Sequence, residues 1–175
     1  MVEVLIAIAI AAIIAAVTYP VFVEVRSSSK RTKSISNLRQ LHSFLSMYRQ
    51  DYGDEALYGD SYAMGLPPDL GHLVKTYKIP KDTYTSPGPD FLGKFPEGRY
   101  VGHYGPRRDG FEDWEKYVQK WQDQAVILSD QNFDFANRSR TNPFVRHRGI
   151  GLYLGGHVRT IVRRGSPTFK EWWNP

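Results

Sequence analysis

From Val4 to Val17 the chain is an unbroken run of fourteen apolar residues, and nothing later in its 175 residues matches it. Between Met1 and Val23 only Glu3 and Thr18 are clearly polar. As a helix that segment would be roughly 34 Å long, enough to cross a hydrocarbon core of about 30 Å. A cleaved secretory signal would place basic residues ahead of the apolar run, whereas here an acid stands at position 3. A plain anchor accounts for the length but not for Glu3, because a carboxylate near the end of a spanning helix is costly and tends to mark a function or a partner.

The helical pattern continues beyond Val23. Ile35, Leu38, Leu41, Leu45 and Tyr48 recur at spacings of three and four, with Lys33, Arg39, Gln40 and Arg49 between them, which describes an amphipathic helix burying one face. Pro20 is the one Gly or Pro before Gly53. The expectation is therefore a single helix of about fifty residues, with Pro20 removing one backbone hydrogen bond and kinking it near the junction of its two halves. Ala7, Ala11 and Ala15 form a stripe of small residues along the apolar half, flanked by Ala12 and Ala16. In lipid, where the hydrophobic force between helices is weak, such stripes allow close helix–helix packing.

Charge is distributed as unevenly as hydropathy. The net +5 conceals −2 over the first twenty-five residues, from Glu3 and Glu24, and +7 over the rest. One basic group, Arg26, Lys30, Arg31 and Lys33, follows the apolar stretch. The other comprises seven arginines without an acid, Arg138, Arg140, Arg146, Arg148, Arg159, Arg163 and Arg164. Asp51, Asp54, Glu55, Asp60 and Asp69 make an acidic segment between them. The late arginines have three readings: solvated charge, a complement to the acidic segment of a neighbouring subunit, or a DNA-contacting stripe.

The string VEVLIAIAIAAIIAAVTYPVF, with its early glutamate and a proline seventeen residues later, resembles the N-terminal methylation segment of type IV pilins and of type II secretion pseudopilins. SISNLRQLHSFLSMYRQDYGDE is similar to the continuation in a bacterial branch of prepilin-like proteins. RHRGIGLYLGGHV partly matches that branch's C-terminal signature, a histidine and then Asp-Gly-His-Val, although Gly155 stands where the branch has its acid and the interval after His147 is shorter. The match covers the first fifty residues well, the last forty partly and the middle hardly at all. Members carry a basic leader ending in Gly, cleaved four positions ahead of the glutamate. Met1 lies only two ahead, so the leader and about two mature residues are expected to be missing here, through a misassigned start codon or a truncated form. The branch often has cysteines where Ser34 and Ser86 stand, which reads as a lost disulfide or as two independent serines.

The resemblance implies a structural, non-enzymatic subunit of a pilus-like or pseudopilus filament, homo-oligomeric or mixed, built through Glu3, Pro20 and the Ala7, Ala11, Ala15 face. Glu3 would pair with the N-terminal amine of a neighbouring subunit, since an unpaired charge in an apolar bundle is far more expensive than a paired one. It also implies processing by a prepilin peptidase, assembly on an inner-membrane platform, and a C-terminal domain outside the cytoplasm, at the cell surface or across the periplasm after assembly. The basic residues after the span would alone place that domain inside; the absent leader carries the charges that oppose this. Residues 1–25 are then transmembrane and filament-core helix, 26–52 its amphipathic continuation, and 53–175 a loop-rich globular head. The rival is a membrane-anchored extracytoplasmic binding or enzymatic domain, and a DNA-contacting minor pilin is a further variant.

The head reads as α+β, a long N-terminal helix packed on a small antiparallel sheet. Residues 53–110 are dense in Gly, Pro and Tyr and predict irregular structure with a short helix over Gly71–Tyr77. A second helix is expected in FEDWEKYVQKWQD, with Phe111, Trp114, Val118 and Trp121 on its core face. Ala125–Ser129, GLYL and HVRTIV read as strands, the last two joined by a tight Gly155-Gly156 turn, with one face of HVRTIV wet. No cysteine is present, which excludes a disulfide, a zinc-thiolate site and a thiol nucleophile. The five histidines show no ligand spacing; His147 and His157 could meet across the hairpin, but the resemblance explains both as positions of the fold signature. GIGLYLGG lacks the lysine and the strand-to-helix context of a phosphate loop. Asp130, Asn132 and Asp134 imitate the start of a calcium loop, but Phe135 and Thr141 replace its glycine and its bidentate glutamate. Calcium thus stands as the one cofactor candidate, against a helix-capping or loop-forming turn.

Overall fold

The computed structural model describes residues 2–53, 56–88, 98–104, 114–133 and 144–174. It is α+β, a long N-terminal helix packed on a small antiparallel sheet, as the sequence predicts. Helix α1 runs unbroken from Val2–Tyr52, through Pro20. Its end is set by Gly53, whose φ of +87° is the left-handed conformation that closes helices and that glycine adopts without strain. From Val2 to Arg26 every side chain is exposed, and burial begins only as the helix reaches the head. There Leu38, Leu41, Leu45 and Tyr48 are buried and Ile35 partly so. Ser34 and Asn37 share the buried face.

Helix α2 (Leu70–Tyr77) begins at Asp69, whose carboxylate accepts the His72 amide at 2.7 Å, and ends at Lys78 in the left-handed region. A one-turn helix α3 (Lys81–Tyr84) follows Pro80, and a small ladder pairs β1 (Thr85–Ser86) with β2 (Gly98–Arg99). Helix α4 spans Trp114–Trp121, with Trp114, Tyr117 and Val118 buried and Trp121 half-buried. Phe111, also expected on its core face, lies outside the described residues.

The main sheet has the order β3-β4-β5-β6, all antiparallel, from β3 (Val101–Gly102), β4 (Val126–Asp130), β5 (Arg146–Tyr153) and β6 (Val158–Arg164). Both faces of β4 are covered, which is why it is an unbroken buried run rather than an alternating one. Ile150 and Leu152 face α1. Gly149 and Gly151 point the other way, where the indole of Trp173 lies directly against both. Tyr117 ties α4 into the same layer, donating to Asn174 at 3.0 Å and accepting the Val126 amide at 3.2 Å.

Two strand expectations are corrected. Strand β5 starts at Arg146 rather than near Gly151, because its glycines are the floor beneath Trp173 and do not interrupt the ladder. The β5–β6 turn is not a two-residue Gly155-Gly156 loop. Gly156 N bonds Tyr153 O at 2.8 Å and Tyr153 N bonds His157 O at 3.1 Å, a three-residue loop closed by Gly156 at φ +83°. A Cβ on Gly156 would stand 2.6 Å from His42 Cε1. Gly156→Ala is therefore expected to cost about 1–2 kcal/mol, read as a lower thermal midpoint of the detergent-solubilised chain.

Candidate functional site

The apolar half of α1 is long enough and apolar enough to cross a membrane, and the head buries none of it. Ala7, Ala11 and Ala15 are exposed along it, as are Glu3 and Pro20. Pro20 has no amide to offer the carbonyl four residues back. Thr18 turns its hydroxyl onto Ile14 O at 2.9 Å, satisfying its own polar group inside the apolar stretch.

Past this half come the basic residues. Arg31 pairs with Glu24 at 2.9 Å, and Lys33 pairs with Asp82 of α3 at 3.5 Å. The late arginines divide between the two faces of the sheet. Arg159 sits over the Tyr153 ring at 5.5 Å, and Arg163 over Trp172 at 5.4 Å. Arg163 also donates to Glu171 O at 3.1 Å. Arg146, Arg148 and Arg164 belong to the face that carries α1, since Arg146 and Arg164 are register partners and Arg148 alternates with Ile150. Strand β6 has a wet face, that of Thr160, Val162 and Arg164, while on its other face Arg159 is exposed and Ile161 and Arg163 are half-buried. Arg138 and Arg140 lie outside the described residues. Of the acidic segment, Asp51 accepts the Tyr77 hydroxyl, Asp60 caps the turn at Tyr62 and Ala63, and Asp69 caps α2. Burial first, and Asp51 second, push the Tyr77 hydroxyl up to about 12. Asp54 and Glu55 lie outside the described residues.

Where α1 meets the sheet there is a polar node that sequence reasoning did not assemble. Asp130, fully buried at the end of β4, accepts Ser34 Oγ at 2.5 Å and Ser86 Oγ at 2.7 Å on one oxygen. Its other oxygen accepts Asn132 N at 3.0 Å and Asn132 Nδ2 at 2.7 Å. One carboxylate thus joins α1, β1 and β4. Ser34 and Ser86, distant in sequence, meet on a single oxygen atom. Burial raises the Asp130 carboxyl above its ordinary value, and these hydrogen bonds oppose the shift. The Asp130–Asn132 contacts make the loop-forming turn that the sequence offered as the alternative to calcium. Asp134 lies outside the described residues, and no cluster of three or more metal-ligating side chains occurs among the described ones.

His147 and His157 do not meet. His147 pairs in register with Arg163, while His157 lies beyond the opposite end of the strand, stacked on Tyr153 with ring centroids 4.6 Å apart. Burial, then Arg159, holds the His157 imidazole below its ordinary value. His103 Nε2 lies 2.7 Å from Ser129 Oγ, a pairing that hydrolases use. Here that serine is fully buried and already accepts Gln131 Nε2 at 3.2 Å. Compared with protein-family models, with curated proteins and with solved structures, the chain matches none.

Proposed function

We propose that the chain is a structural subunit of a type IV pilus-like or type II secretion pseudopilus filament, held in the bacterial inner membrane by the apolar half of α1 and assembled through it. The observation that carries this reading is the division of one helix: Val2–Val25 is exposed throughout, while the continuation supplies one wall of the head's core. Exposed apolar helix of this length needs lipid or other helices around it. The alanine stripe and the lone early acid suit the second environment as well as the first. The resemblance to prepilins adds the rest: a prepilin peptidase, an assembly platform, neighbouring subunits in a homomeric or mixed filament, and a head outside the cytoplasm.

Glu3→Ala tests it. The filament reading expects normal membrane insertion of the variant and at least a tenfold loss of subunits in sheared surface filaments, measured by microscopy and mass spectrometry. Normal assembly of the variant, or filaments that never contain the chain, would leave an anchored binding or enzymatic domain as the better account.

A further inference from the structure

Two ties fix how α1 lies along the sheet. His42 Nε2 lies 3.4 Å from Leu154 O, beside the β5–β6 turn. Ser34 bonds Asp130, the register partner of Ile150. Between these ties the helix descends from residue 42 to 34, about 12 Å, and β5 descends from residue 154 to 150, about 13 Å. The two elements therefore run side by side in the same direction. Continuing β5 down to Arg146 adds another ~13 Å, the level that α1 reaches near Arg26. Arg164 arrives with Arg146, as its register partner and on the α1 face of the sheet.

The two basic groups, more than a hundred residues apart in sequence, thus converge on one end of the head, where the apolar helix leaves it. Two acids at that end are already matched, Glu24 by Arg31 and Asp82 by Lys33. Among the described residues, Arg26, Lys30, Arg146 and Arg164 make no ion pair, and all but the half-buried Lys30 are exposed. Phe144, 83% exposed, stands in the turn that opens β5, two residues ahead of Arg146. Unpaired cations next to an exposed aromatic side chain are the residue types that suit a lipid–water boundary.

We propose that this end of the head docks on anionic phospholipid headgroups of the membrane that α1 crosses, with Arg146 and Arg164 taking phosphate contacts alongside Arg26 and Lys30. The proposal rests on α1 being a membrane helix. It gives Arg146 and Arg164 a partner other than the acidic segment of a neighbouring subunit. Each cation near an anionic surface contributes about 1 kcal/mol, or about fivefold in affinity, at low salt.

The test uses the full chain reconstituted in phosphatidylcholine vesicles containing trace spin-labelled phosphatidylglycerol or phosphatidylcholine, with the immobilised lipid fraction read by electron paramagnetic resonance. Phosphatidylglycerol is expected to be immobilised preferentially, the preference shrinking with added salt. Arg146→Gln with Arg164→Gln should reduce it at least about fivefold. Arg159→Gln with Arg163→Gln removes the same charge from the other face and should leave it unchanged. An unaltered preference in the first double variant, or an equal loss in the second, overturns the proposal. So does duplex DNA that binds the reconstituted chain through Arg146 and Arg164 while the lipid preference does not depend on them. Failure of the chain to float with vesicles of any composition overturns the membrane reading itself, and is seen before any lipid preference is measured.

Discussion

Trp173→Ala is expected to destabilise the head by about 3–5 kcal/mol, the range for removing a large buried aromatic. The side chain is fully buried, its Nε1 donates to Pro167 O at 2.8 Å, and the Trp173 carbonyl accepts the Tyr153 hydroxyl at 2.8 Å. Its ring fills the space that Gly149 and Gly151 leave open on β5. Removing it exposes the floor of that layer and frees the C-terminal turn that carries Trp172. The converse substitution, Gly149→Val, should be comparably harmful, because a side chain there would occupy the position of the indole. Thermal unfolding of the detergent-solubilised chain, followed by near-ultraviolet circular dichroism, measures both. A Gly149→Val variant as stable as the parent would mean that the ring does not lie where it is placed here.

Asp130→Ala should cost about 3–5 kcal/mol, because it strips the acceptor from Ser34, Ser86 and both Asn132 donors at once and leaves them buried. Asp130→Asn keeps the shape and one acceptor oxygen and should cost much less. The pair also has a defined pH signature. The folded carboxyl is raised above its ordinary value of 3.8, burial being the cause. The folded state therefore holds this proton more tightly than the unfolded chain does. Its contribution to stability is fully present below the unfolded value and is lost as pH rises through the folded one. Relative to Asp130→Asn, the parent should gain stability as the pH is lowered from neutrality toward about 4. A difference that is flat in pH, or that favours the variant in acid, would contradict a buried carboxylate held without a cation.

The long helix was legible because its signal is redundant: spacing of apolar residues, no glycine before Gly53 and a polar stripe all agree over Ile35–Tyr48. The helix at Leu70–Tyr77 and the run at Val126–Asp130 were legible for similar reasons. What escaped was set by contacts across long sequence separations. Ser34 and Asn37 read as ordinary polar helix residues, and only Asp130 and the Asp82 and Thr85 carbonyls make them interior. Asp130 read as a turn former, which it is, but its burial depends on α1 lying over the end of β4. Most of β5, Arg146–Gly151, shows no strand alternation, because two positions on one of its faces are glycines matched to a tryptophan more than twenty residues later. The arginines read as one patch since sequence does not reveal sheet faces; pairing in register separates Arg159 and Arg163 from Arg146 and Arg164.

The placement of α1 as a wall of the head's core bears on the order of events during synthesis. Ser34 waits for Asp130, ninety-six residues later, and His42 for Leu154, one hundred and twelve later. At about 5–20 residues per second, that interval is roughly 5–20 s. Throughout it the apolar half of α1 has already left the ribosome, while the leucines of its second half have α2 and α3 but not yet the sheet to pack against. Capture of the N-terminus by the membrane is therefore expected to precede closure of the head. Any chaperone acting on this chain would then meet a half-covered amphipathic helix, tethered at one end and waiting for its last two strands.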